Sequence, residues 1–80
     1  MLNEKQLVWR CRRGVRELDV ILSQFLDAGY PLLNDVQRSD FERLLEIQDP
    51  VIMDWLFGKV AIDDDGLEFI IGELKKTSGL

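Results

Sequence analysis

The sequence has no histidine and only one cysteine, Cys11. Without histidine, zinc sites of the Cys/His type are excluded within this chain, and so is any Ser-His-Asp or Cys-His catalytic arrangement. The side chain used most often for proton transfer near neutral pH is missing too, which lowers the expectation of catalysis. A lone cysteine cannot form an internal disulfide and fits a reducing compartment. No apolar run approaches the ~20 residues of a membrane span, and short ones such as Val51-Ile52-Met53 are interrupted by charge. Residues 1–11 carry no apolar signal-peptide region. The expected location is therefore a cytoplasm, or an organelle matrix such as that of mitochondria.

Eighty residues suffice for one domain, spanning 1–80. A chain of this size buries roughly 60–65% of its unfolded surface, so its stability is expected to be marginal. Hydrophobic residues make up 46% and charged residues 31%, as in ordinary globular proteins. Seven aromatics, Trp9 and Trp55 among them, argue against disorder. The net charge of −5 is unevenly placed. Residues 1–16 hold Lys5, Arg10, Arg12, Arg13 and Arg16 against Glu4 alone, while the remainder is strongly acidic. An acidic protein is a poor nucleic-acid ligand, since that affinity comes largely from phosphate neutralisation. The local basic cluster fits an anionic ligand, an acidic patch on a partner, or ion pairs within the fold.

Apolar spacing is helical almost throughout. Residues 4–12 form a first short helix with Leu7, Val8 and Cys11 on one side. Gly14 interrupts it, as a left-handed helix end or as a place of close approach. Val15, Leu18, Ile21, Leu22, Phe25 and Leu26 form the stripe of a helix from about 15 to 28. Asn34 and Gln37 resemble a capping box ahead of a third helix reaching about residue 47. In Asp49-Pro50 the Asp caps and the Pro takes the first position of a fourth helix, which stops at Gly58. Asp63-Asp64-Asp65, with Glu68 three residues after Asp65, starts a fifth helix with Leu67, Ile70, Ile71 and Leu74 on its buried face. Lys75-Lys76 suits its C-terminal end. Strand alternation is absent. The fold class is all-α, a compact bundle of about five short helices held by tertiary packing.

The densest chemistry lies in Trp9-Arg10-Cys11-Arg12-Arg13-Gly14-Val15-Arg16-Glu17-Leu18-Asp19. Guanidinium groups offer rigid forks to carboxylate or phosphate. Gly14 lets a partner approach closely, and Glu17 lies at ion-pair spacing from Arg13. A self-satisfied ion-pair network joining the first two helices is the structural alternative. Trp9, among charges, reads as an interface aromatic. Trp55 reads as core and Cys11 as a packing residue. Asp63-Asp64-Asp65-Gly66 is not a calcium loop, because Leu74 stands where the closing Glu belongs. No metal site is expected.

Trp9-x-Cys11-Arg12-Arg13-Gly14-x-x-Glu17-Leu18-Asp19 resembles the signature of the FAD assembly (flavinylation) factors of succinate dehydrogenase, SdhE-like in bacteria and assembly factor 2 in mitochondria. Phe41-x-Arg43-Leu44-Leu45-Glu46, Asp49-Pro50 and Trp55-Leu56 extend the resemblance across residues 7–57. Val15 stands where the family often has Met. The resemblance implies a five-helix bundle that is not an enzyme and has no catalytic residues of its own. It implies binding to the flavoprotein subunit of succinate dehydrogenase, in some bacteria also that of fumarate reductase. There the factor promotes covalent attachment of FAD to a histidine of the partner. FAD is not expected to be bound tightly by this chain; it is attached on the partner. The implied partner-binding residues are Arg13, Gly14 and Glu17, with Trp9, Arg12 and Asp19 nearby. The location implied is the cytoplasm of a bacterium or the mitochondrial matrix. Two alternatives stay open: a direct catalyst using Glu17 or Asp19, and a regulatory protein-binding module without a flavin role.

Overall fold

The apolar stripes of the second and fifth helices become their buried sides, whereas Val8 of the first helix, expected beside Leu7 and Cys11, is exposed. The computed structural model describes residues 2–80. Helix α1 spans Glu4–Arg10, α2 Arg16–Ala28, α3 Asp35–Leu44, α4 Asp49–Leu56 and α5 Asp65–Ser78. A 3-10 turn at Tyr30–Leu32 follows α2, where the sequence reading has only a helix end. No strand occurs among the described residues. The all-α bundle of about five short helices is the observed fold.

Helix α5 packs against both α2 and α3, and α1 lies on α2. From α2 come Leu18, Ile21, Leu22 and Phe25, and from α5 come Leu67, Ile70, Ile71 and Leu74. Phe41 of α3 sits at the centre, fully buried, its ring 5.2 Å from that of Phe25 and 5.5 Å from that of Tyr30, both tilted. Tilted rings at this separation gain energy beyond their buried area. Truncating such a residue to Ala costs about 3–5 kcal/mol. Trp55 is half-buried and packs against the core rather than within it.

The helix ends show how local chemistry sets boundaries. The Asn34–Gln37 box forms as expected: the Gln37 N–H donates to Asn34 Oδ1 at 2.8 Å and the Asn34 N–H to Gln37 Oε1 at 2.9 Å. A second box, Asn3–Gln6, opens α1 and is missing from the sequence reading. Gly58 adopts a positive φ of 70°, a conformation that closes α4 and favours glycine.

The cap of α5 comes from the Asp63-Asp64-Asp65 run as expected: it is Asp64, which accepts from the Leu67 N–H at 3.0 Å. Two boundary expectations are corrected. The cap of α4 is Gln48, and Asp49 is its first helical residue, because the Asp49 carboxylate is engaged elsewhere. Helix α3 ends at Leu44 rather than near 47, and the carbonyls of Leu45 and Ile47 accept from Arg13 instead.

The junction of α3 with the start of α5 is tightly satisfied. Arg43 donates to Asp64 through Nη1 at 2.9 Å and Nη2 at 3.1 Å, and to Asp40 at 2.8 Å. The guanidinium holds the Asp64 carboxyl down at about 2, helped by the Leu67 N–H. A Cβ on Gly66 would stand 2.6 Å from Asp40 Oδ2, so a larger residue there has to displace that carboxylate from its place beside Arg43.

Candidate partner-binding site

The densest chemistry of the sequence folds into the α1–α2 junction. Trp9 stands on the last turn of α1, residues 11–15 make the connection, and Glu17 and Asp19 open α2. Trp9 is 73% exposed. Arg12, Gly14 and Glu17 are exposed, and Asp19 is half-buried. Trp9 and Arg12 share one surface depression of about 540 Å³ with Glu4, Lys5 and Val8. Gly14 and Glu17 do not line that depression.

Lys5, Arg10, Arg12 and Arg16 make no ion pair among the described residues. The expected ion-pair network between the first two helices is therefore not what holds the junction. Arg13 does not pair with Glu17 either. It turns inward across the chain to the α3–α4 connection. Its Nη2 donates to the Leu45 carbonyl at 2.9 Å and to that of Ile47 at 3.2 Å. Its Nε lies 3.4 Å from Asp49 Oδ1, an ion-pair distance without hydrogen-bond geometry. The physical reason is burial. A guanidinium side chain only 15% exposed requires nearby acceptors, and the two carbonyls freed by the end of α3 supply them. An exposed carboxylate on the next turn competes poorly, since surface pairs contribute only ~0–1 kcal/mol.

Gly14 also departs from one expectation. Its φ is not positive, so it is no left-handed helix end. Nothing lies within 4 Å of the place a Cβ would take, so no neighbour in the chain approaches it either. The space above Gly14 is open to the outside.

Beneath this junction lies Cys11, fully buried. Burial pushes its thiol up to about 11, against the opposing pull of Arg13 and with a smaller push from Asp19. The packing reading of Cys11 holds, and a thiolate nucleophile does not. Among the described residues no group of His, Cys, Asp or Glu side chains is placed to hold a metal ion. The junction offers hydrogen-bond donors, an indole and open space, all suited to polar docking.

Three participants are missing from the sequence reading. Lys5 and Val8 share the depression with Trp9 and Arg12, and the four-residue spacing of each pair, Lys5 to Trp9 and Val8 to Arg12, is a signal that could have found them. Asp49 has no local signal, because its partners are more than thirty residues away.

Fold and site together define a small all-α protein with an exposed polar and aromatic face at its first interhelical junction. Residues 5–78 match the family described as the flavinator of succinate dehydrogenase. The chain is 34% identical over 77 residues to the FAD assembly factor SdhE of Coxiella burnetii, covering 96% of this chain and 94% of that protein. It is 37% identical over 78 residues to the FAD assembly factor SdhE of Pectobacterium atrosepticum, covering 98% and 81%. Against the protein of the same name from Yersinia pseudotuberculosis the identity is 43% over 65 residues, covering 81% and 74%. This chain belongs to the family of succinate dehydrogenase flavinators, the FAD assembly factors.

Proposed function

We propose that this chain docks onto the flavoprotein subunit of succinate dehydrogenase through the α1–α2 junction and promotes covalent attachment of FAD to a histidine of that subunit. The observation that carries the reading is the open, exposed Gly14 close to Arg12 and Arg16, which form no ion pair among the described residues. Such a site has space and donors for an outside surface. Trp9, Arg12, Gly14 and Glu17 meet the partner, Asp19 supports them from α2, and Arg13 acts from beneath.

The chain itself is not the catalyst. It offers no histidine, and its thiol is buried and protonated at neutral pH. FAD is the substrate of the assembly step and stays with the partner, with no tight binding to this chain. Docking holds the flavoprotein in the arrangement where flavin and histidine are aligned and the charge developing on the flavin meets positioned donors. Those donors belong mainly to the partner. The flavoprotein of fumarate reductase is a second client of the same chemistry. No helix among the described residues is long and apolar enough to cross a membrane. The proposed place of action is the bacterial cytoplasm, or the mitochondrial matrix in a eukaryote.

The test mixes apo flavoprotein subunit with FAD, with and without this protein, and reads covalent flavin by fluorescence in a denaturing gel. A faster or fuller band, lost with Gly14→Arg, is expected. An unchanged band despite a folded protein overturns the proposal in favour of a regulatory binder. A Glu17→Gln variant that binds normally but no longer flavinylates would instead make Glu17 a catalyst.

A further inference from the structure

Asp49 bonds to the residues on both sides of Gly14. Its Oδ1 lies 3.4 Å from Arg13 Nε, and its Oδ2 accepts from the Val15 N–H at 3.4 Å. The Arg13 guanidinium is at the same time held by the Leu45 and Ile47 carbonyls. The residues before and after Gly14 are thus tied to the start of α4, while the place a Cβ of Gly14 would take is open. Val15 is the N-cap residue of α2 and has no side-chain cap bond; its carbonyl accepts from the Asp19 N–H, and its own N–H is held by Asp49. The Asp49 side chain is only 19% exposed, which limits competition from water. No other carboxylate forms an ion pair with Arg13 among the described residues.

We infer that Asp49 is a positioning residue for the partner-binding face. Through Arg13 and Val15 it fixes the 12–15 connection in the shape that presents Gly14. It acts through these residues and does not meet the partner itself. The inference rests on the docking role proposed for the junction. A connection without the pin still folds, because the core lies elsewhere, but samples other shapes. Binding then requires ordering it first, which weakens the apparent affinity.

The experiment compares wild type, Asp49→Ala and Asp40→Ala. Asp40 is a similarly half-buried carboxylate, paired with Arg43 away from the junction, and controls for loss of an ion pair as such. Two readouts are taken: amide hydrogen exchange at Val15 in the free protein, and the concentration of factor giving half-maximal flavinylation of the apo subunit. Asp49→Ala is expected to speed Val15 exchange while leaving that of Leu67 unchanged. It is also expected to raise the half-maximal concentration at least roughly tenfold, since small misplacements of positioned groups cost up to 10²-fold. The plateau rate should stay the same, and Asp40→Ala should behave as wild type. An unchanged half-maximal concentration for Asp49→Ala overturns the inference, as does an equal rise for Asp40→Ala. If wild type itself does not promote flavinylation, the docking role falls, and unchanged Val15 exchange in Asp49→Ala would overturn the pin independently.

Discussion

At the α1–α2 junction the space above Gly14 is open, whereas at the α3–α5 junction Gly66 lies under Asp40 and Arg43. The arginines differ as well. Arg43 is matched to two carboxylates, while Arg12 and Arg16 have no ion-pair partner among the described residues. Arg13, between the two cases, is satisfied mainly by backbone carbonyls. The same residue types therefore do opposite work. Where guanidinium and glycine are fully engaged inside the chain, they fix helix against helix. Where bonding capacity and room are left over, they are free to meet another molecule.

Exchanging the two glycines for large residues gives the sharpest way to break this contrast. Gly14→Arg should weaken binding to the flavoprotein subunit by about 2–4 kcal/mol, the loss of an interface hot spot. Its thermal stability should stay within about ±0.5 kcal/mol of wild type. Gly66→Leu should show the reverse, losing about 1–3 kcal/mol of stability to overpacking and keeping its affinity. Calorimetry of binding beside thermal melts reads both. A destabilised Gly14→Arg, or a Gly66→Leu that folds well but does not bind, would erase the distinction between the junctions.

A smaller effect tests whether the floor of the open junction is rigid. Fully buried and with its thiol pushed up to about 11, native Cys11 should react with iodoacetamide at pH 8 far more slowly than it does in the unfolded chain. Alkylation at the ordinary rate would mean that α1 lifts from α2 and exposes the core.

The smallest effect concerns the closed junction. Asp64 has a carboxyl lowered from 3.8 to about 2, so its pairing contributes stability that is fully present above about pH 4 and is lost as pH falls towards 2. Asp64→Asn should flatten the fall of melting temperature between pH 4 and 2. An unchanged slope would show that the Arg43 pair does not distinguish the folded from the unfolded chain.

What could be read from the sequence was what depends on neighbours. Helical spacing placed α2 and α5, and the Asn34–Gln37 box and Lys75-Lys76 marked real ends, because each involves residues within a turn or two. That Trp9, Arg12 and Gly14 come together at one exposed junction was legible, since they are close in sequence. Their partners were not. Four-residue spacing assigned Arg13 to Glu17, but Arg13 bonds across the fold to Leu45, Ile47 and Asp49. A local pattern carries no information about which distant carbonyls lose their helical partners. The cap of α4 was missed for the same reason, since Asp49 is drawn away by Arg13 and Val15.

The place of α5 has a consequence for how the molecule comes into being. It packs on both α2 and α3 and brings Leu67, Ile70, Ile71 and Leu74 to the core. A growing chain that has not yet produced residues 65–78 has apolar stripes on α2 and α3 with nothing to cover them. Helices this short do not persist alone. Folding therefore waits for α5, and until then the apolar stripes of the unfinished chain stay uncovered.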